Sequence, residues 1–406
     1  MIKSIRQYIA KNSYELITVF FIFTNLFPKW FPQFVYYLSF LMILFKEFRY
    51  KRPMHKNANL FIAFCVFLWL SSTINMVLDL RLVLFTIILY MSMPSNSLGW
   101  HQYKIKLFNC IFLGFGLATL ANFYAKIAGI NQIYVDEYMQ AMGIVGEFSG
   151  FANFAMWTSC AGAMSTLFFV SMAFRKSLQN KILKIICYAM ILVSLYITII
   201  SASRSAFFLS LVCSLLIIKM QSRKATSLMR NLIIIGCTAL CFAPVLIDNA
   251  DAMLNKKNGL EITVENTSRD ALWSQRMEEF RSSPIFGVGF AAHGVGDNKQ
   301  VGRNESGGSF ISVLAQAGIV GFIIVILIWI TAIMMPKKIG NNPDLILIYA
   351  GFVFMSIHSI IEGYMFQAGW YMCLVIWLSV GIMIEHKTLS KRYPQLMLPI
   401  NVAYNK

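Results

Sequence analysis

Four polar stretches hold the residues that could do chemistry in a chain otherwise dominated by apolar side chains. The first is SASRSA at 201–206, where Arg204 stands among small residues between two strongly apolar runs. An arginine near membrane depth is costly unless it reaches the interface or meets an anion. Arg204 therefore reads either as an interfacial cation on lipid phosphates or as a fixed cation for an anionic ligand. The second is NTSRDALWSQRMEEFRSSP, whose pattern predicts an amphipathic helix ended by Pro284. Thr267 and Asp270 have the spacing of a capping box, and Arg269, Trp273, Arg276 and Phe280 fall on one face. Its arginines, Arg281 included, either pair with Glu278 and Glu279 on a solvated surface or grip phosphate, for which a guanidinium fork suits better than an ammonium. A basic, aromatic face also suits a helix lying on a membrane.

The third stretch is SPIFGVGFAAHG, where Gly287 and Gly289 permit a tight turn with free N–H groups, a candidate oxyanion nest. His293 follows as a base, a ligand or a merely solvated ring. The fourth is GRNESGG, with Arg303 and Glu305 just before a long apolar run. Glu305 either caps the coming helix, where the dipole favours a carboxylate, or serves as a general base. No G-x-x-x-x-G-K-[ST] loop is present, and no His, Cys or acid cluster has metal-ligand spacing. Neither a metal nor a cofactor is expected.

These stretches must be held by membrane helices. Of 406 residues, 58% are hydrophobic and 13% charged, about half the ~25% charge of a soluble domain. Apolar runs long enough to cross a ~30 Å hydrocarbon core lie near 14–29, 32–46, 58–77, 80–95, 106–127, 151–174, 183–201, 205–220, 231–248, 309–335, 345–362 and 366–385. The expected fold is an all-α polytopic membrane protein of about twelve transmembrane helices, forming a single integral membrane domain over 1–406. A large extracytoplasmic loop with short helices, 248–308, separates the ninth and tenth spans. The basic amino-terminal segment lacks a small-x-small cleavage site and reads as part of a retained first span. All eight cysteines fall in apolar runs, so disulfides are not expected.

Orientation follows from the basic residues. With both termini cytoplasmic, 24 of the 35 Lys and Arg face inward and 11 outward, while 14 of the 18 acids face outward. That is the positive-inside pattern. It also accounts for the net charge of +17 without a nucleic-acid partner. The four polar stretches then share the outer face.

In order, spacing and topology the motifs resemble the O-antigen ligase and O-antigen polymerase family of lipid-dependent glycosyltransferases, over about 145–335. The resemblance rests on S-R-S at 203–205; on R-x-x-x-W with P-x-x-G-x-G, here Arg269, Trp273, Pro284, Gly287 and Gly289; and on L-x-x-x-G-I-x-G, here Leu314, Gly318, Ile319 and Gly321. It implies a metal-independent glycosyl transfer from undecaprenyl-diphosphate-linked oligosaccharides, at the outer face of the bacterial cytoplasmic (inner) membrane. Arg204 and Arg269 would bind the donor diphosphate, with Arg276, Arg281 and Arg303 as further candidates. Glu305 would be the base, with His293 as alternate. Ligases of the family have a histidine just before the tenth-span motif, where this chain reads Arg303-Asn304-Glu305. That departure favours a polymerase of O-antigen, capsule or exopolysaccharide repeat units over a ligase joining the chain to lipid A core. A flippase and a chain-length regulator would be its partners, with membrane lipids around it. The rival from another class is a polysaccharide or solute transporter. Carriers, however, usually place polar features at mid-membrane in two related halves, which this sequence does not show.

The orientation is open to direct test. Single cysteines at Asn258 and Asn298 in a Cys-free background are expected to react with an impermeant thiol reagent before lysis. Cysteines at Ser177 and Asn341 should react only after it, and labelling of position 177 from outside would overturn the orientation.

Overall fold

The computed structural model describes residues 2–50, 52–135, 148–175, 178–222, 244, 269–296, 299–302, 307–334, 339 and 342–397. Arg303, Glu305, Thr267, the apolar run near 231–248 and the four labelling positions lie outside the described residues. Each of the other apolar runs has a helical counterpart.

In chain order these helices are α1 (Ile2–Lys11), α2 (Ser13–Thr24), α3 (Gln33–Glu47), α4 (Ala58–Ile74), α5 (Leu80–Ser92), α6 (Leu98–Ile127), α7 (Ala155–Ala173), α8 (Lys181–Ile200), α9 (Arg204–Gln221), α10 (Arg269–Ser282), α11 (Ser309–Ile333), α12 (Pro343–Ile361) and α13 (Tyr371–Arg392). Seven of them, α6 to α9 and α11 to α13, are long and apolar enough to cross a membrane, and α2, α4 and α5 are shorter apolar helices. The only strands among the described residues are the two-residue pair β1 (Ala292–His293) and β2 (Gln300–Val301). The chain is an all-α polytopic membrane protein.

Two compact units emerge. The first comprises Met1–Ser39, Ile105–Val264 and Asn341–Phe354. In it α7 packs closely on α8, where a side chain at Gly162 would collide with Thr198 and the Ser194 carbonyl. Ser165 and Ser194 share a 2.8 Å hydroxyl hydrogen bond there. Small residues let helix backbones approach where lipid removes the hydrophobic drive between helices.

The second unit comprises Phe40–Lys104, Glu265–Gly340 and Met355–Lys406. At its centre runs α13, buried from Tyr371 to His386, with Trp377 packed against Phe61, Phe64, Phe85 and Trp329. Toward the end of α13 the fully buried Glu385 accepts from Lys104 Nζ at 2.6 Å and the Ser95 N–H at 2.8 Å, and bonds His101 at 3.0 Å. A buried charge persists only when paired and hydrogen-bonded. This network explains why α6 begins at Leu98 and not near 106, as the apolar run suggested: His101 and Lys104 are interior residues, not boundary markers.

One helix is broken, and the break positions the site. Within α11, Gly318 has φ 60° and ψ −171°, a region essentially reserved for glycine. The interruption strips Ala315 and Gln316 of helical partners for their carbonyls, and Ile319 of a partner for its N–H. An apolar slab offers no water to replace them. The loop after α10 supplies what is missing. The Val288 N–H donates to the Ala315 carbonyl (2.9 Å), the Gly289 N–H to the Gln316 carbonyl (3.1 Å), and the Pro284 carbonyl accepts from Ile319 (2.8 Å). The P-x-x-G-x-G and L-x-x-x-G-I-x-G motifs are thus two halves of one backbone joint.

Gly318→Ala should therefore damage both stability and activity. A Cβ there would strike the Ile285 carbonyl, in a backbone conformation that itself costs about 1–3 kcal/mol for a residue other than glycine. A lower melting temperature in detergent and a matching loss of product are expected. An unchanged melt with full activity would show that the joint is dispensable.

Candidate functional site

The loop that closes the α11 break is itself clamped by the end of α4. Ser71 donates to the Phe286 carbonyl (2.5 Å) and the Gln316 carbonyl (3.3 Å), and Asn75 Nδ2 to the Gly287 carbonyl (2.9 Å). The Phe290 N–H donates to Ser72 Oγ (3.1 Å) and the Ala291 N–H to Gln316 Oε1 (3.0 Å). Phe286 stacks on Phe67 and Phe290 on Phe85. Every polar partner here is an uncharged side chain or backbone group, so the clamp buries no charge. The expected oxyanion nest is not free: the Gly287 N–H is held by the Ser283 carbonyl at 2.8 Å and that of Gly289 by Gln316. These glycines build the joint, and their N–H groups are consumed in it.

Before the loop, α10 packs against α11. Trp273 of the R-x-x-x-W motif donates its indole N–H to the Gly307 carbonyl at 2.7 Å. This ties α10 to the residues preceding α11, where Ser309 Oγ reaches the Glu362 carbonyl at 2.7 Å and accepts from the Met365 N–H at 3.0 Å. Arg269 is the first residue of α10. Arg276, a candidate anion ligand from the sequence, turns inward: it is 2% exposed and donates to the wholly buried Glu279 at 2.6 Å. Glu279 also accepts from the Gly294 N–H at 2.8 Å, so the pair anchors the strand-bearing loop to α10. Arg281 is exposed. Of the two readings drawn from the sequence, pairing with an acid describes Arg276, and Arg281 remains open to solvent or ligand.

His293 lies on β1 opposite Gln300. Partial burial, and then the nearby Arg276 cation, push its pKa below the ordinary imidazole value, against a hydrogen bond with Gln300 that pulls the other way. The shift favours the neutral ring, the form that accepts a proton. Arg303 and Glu305 are beyond the described residues, but both flanks of their segment are fixed. Gly302 donates its N–H to the Ala291 carbonyl at 3.0 Å, and Gly307 is held by Trp273.

In the first unit, a sharp turn joins α8 to α9. Ala202 adopts φ +53°, uncommon for a residue with a side chain. Ser201 Oγ bonds back to the Ile197 carbonyl (2.8 Å), and Ser203 caps α9 by accepting from the Ala206 N–H (3.4 Å). Arg204 follows as the first residue of α9, with an exposed side chain. The small residues of SASRSA are thus explained by the turn and its cap, which present the arginine at a helix end.

Two cations near the joint escaped the sequence reading. Arg81, in the first turn of α5, lies beside Gly302, and Lys299 bonds the backbone and side-chain oxygens of Asn75 at 3.4 and 3.0 Å. Only the long-range fold brings them to the strand pair. The one sequence signal was that Arg81 opens an apolar run on the expected outer side.

Against known proteins, residues 189–326 match the model of a family described as O-Antigen ligase. No curated protein and no solved structure matches the chain. The matched segment contains α9, α10, the strand pair, the joint and most of α11, which are the elements that carry the candidate residues. This match, over residues 189–326, supports a likeness to the O-antigen ligase and polymerase family.

Proposed function

We propose that this protein polymerises surface-polysaccharide repeat units at the outer face of the bacterial cytoplasmic membrane. It would transfer an undecaprenyl-diphosphate-linked chain onto a new lipid-linked repeat unit. The observation that carries the polymerase reading is the sequence Arg303-Asn304-Glu305, in the place where ligases resembling this chain hold a histidine. The family match over residues 189–326 supports an O-antigen ligase or polymerase activity in general. The energy source follows from location: outside the cell, where nucleotide sugars are lacking, a lipid diphosphate is the available leaving group.

The chemistry assigns a role to each residue. The bond between the donor's anomeric carbon and its phosphate oxygen breaks, and the electron pair leaves with the diphosphate. An acceptor hydroxyl oxygen bonds the same carbon and gives its proton to a base. Negative charge grows on the leaving diphosphate, so cations that bind it more strongly as the bond breaks lower the barrier. Arg204 and Arg269 take that role, with Arg281 and Arg303 as outer contacts. Arg276, held by Glu279, positions the loop and contributes a field. Glu305 is the base; an ordinary glutamate, with a pKa near 4.3, is ionised and able to accept the proton. His293, in its neutral form, is the alternate. A flippase delivering the lipid-linked units and a chain-length regulator are the partners such a reaction needs.

Deletion of the gene should collapse the polysaccharide ladder on a gel to a single repeat unit, whereas undecorated lipid with intact polymer would mean a ligase. In that background Arg204→Ala and Arg269→Ala should fail to restore the ladder while remaining in the membrane. Lysine should rescue poorly, since a point charge cannot reproduce the bidentate fork. Normal chain lengths in both alanine variants would remove the diphosphate role.

General-base assistance is typically worth ~10²–10⁴-fold, more than a lost helix cap should cost in rate. Glu305→Gln, which keeps shape and capping ability, should be slowed by about that factor yet still bind the lipid donor. His293→Ala should retain more activity. The reverse order would exchange the two roles, and normal rates in both would leave deprotonation to water or the departing diphosphate.

A further inference from the structure

A polymerase of this kind must hold two lipid diphosphates at once. One departs with the donor lipid; the other stays attached to the acceptor and takes no part in bond breaking. The first needs cations that tighten in the transition state, the second only a fixed anchor. The arginines considered so far serve the first demand. The place where the strand pair meets the α4–α5 turn has what the second requires.

Several observations converge on that junction. Arg81 sits in the first turn of α5, next to the N-cap Asp79, whose carboxylate is already engaged by the Arg81 backbone N–H at 2.7 Å. A cation in a first turn opposes the helix dipole, so stabilising α5 does not explain it. Its side chain is 39% exposed, and Asp79 Oδ1 is no nearer to its Nε than 4.0 Å. Its Nη1 is buried without a hydrogen-bond partner among the described residues and lies beside Gly302. Just before β2, Lys299 reaches the neutral backbone and side-chain oxygens of Asn75. Two cations, one carboxylate already used as a cap, and guanidinium N–H capacity left over together describe an anion site.

Its placement suits an acceptor. Glu279, which holds Gly294, is ten residues along α10 from Arg269, about 15 Å at 1.5 Å per residue. Arg81 is tied to the Gly294 end through the strand pair, and Arg269 to the Trp273 end. The segment carrying Arg303 and Glu305 runs in sequence from Gly302, beside Arg81, to Gly307, beside Trp273.

We propose that Arg81, supported by Lys299, anchors the diphosphate of the acceptor lipid in a subsite separate from that of the donor. This rests on the polymerase reading, since a ligase acceptor carries no lipid diphosphate. Because the acceptor diphosphate is unchanged in the reaction, its binding is uniform between ground and transition states. Loss of Arg81 should therefore raise KM for acceptor and leave kcat nearly unchanged.

The test uses the full-length protein in nanodiscs of zwitterionic lipid, with farnesyl diphosphate as the binding probe. Wild type is expected to bind two equivalents, and Arg81→Gln and Arg269→Ala one each. Lys299→Gln should weaken the same site as Arg81→Gln, and serves if the latter melts below wild type. With lipid-linked repeat unit as acceptor and preformed lipid-linked chain as donor, Arg81→Gln should raise the acceptor KM at least about tenfold, the scale of one lost charge-assisted hydrogen bond, with the donor KM unmoved. A single equivalent in wild type, or an equal change in both KM values, overturns the subsite. So does a defect that appears only in nanodiscs of anionic phospholipid, which would make Arg81 a headgroup contact. If wild type extends no chain on a diphosphate-linked acceptor yet binds two equivalents, the polymerase reading fails while the second anion site stands.

Discussion

The structure around the candidate site depends on one constraint: a membrane helix cannot be interrupted unless something satisfies its freed backbone. The break at Gly318 leaves carbonyls and an N–H without helical partners in an apolar environment, where each orphan costs several kcal/mol. The loop 284–289 is shaped by that need. Its N–H groups and the Pro284 carbonyl enter the gap, while Ser71, Ser72 and Asn75 of the α4 end hold it from the other side. A polar, glycine-rich segment is thereby fixed to a transmembrane element, and the strand pair, α10 and the start of α11 inherit a defined position from it.

This constraint changes how the glycines should be understood. A G-x-G with adjacent free N–H groups would be an anion nest; here the Gly289 N–H is spent on the broken helix and the Gly287 N–H on the Ser283 carbonyl. Under the proposed function, anion binding would fall to guanidinium groups and not to these backbone N–H groups. The buried Arg276–Glu279 pair belongs to the same logic: the carboxylate neutralises the cation and at once pins Gly294. A charge that the sequence suggests for ligand binding is thus used to stiffen the platform.

The membrane fold was legible in the sequence because apolar length and charge asymmetry are strong, local signals. The polar stretches were legible too, since S-R-S, R-x-x-x-W and the glycine motifs stand out against an apolar background. What each motif does was less so. That the two glycine motifs form one joint depends on residues about thirty positions apart in sequence meeting in space. Arg81 and Lys299 escaped because only the docking of the strand pair on the α4–α5 turn brings them to the site. His101 and Lys104 misled the boundary of α6 because their partner, Glu385, lies nearly three hundred residues away. Long-range polar pairing leaves no periodicity to read.

The central claim is that the chain needs no acceptor other than another lipid-linked repeat unit. It is tested most directly by purified protein in liposomes supplied with undecaprenyl-diphosphate-linked repeat unit as the sole substrate. The account predicts a ladder of lipid-linked oligomers with release of undecaprenyl diphosphate, one per linkage formed. A product that appears only when lipid A core is added, with the repeat unit otherwise unextended, would contradict it.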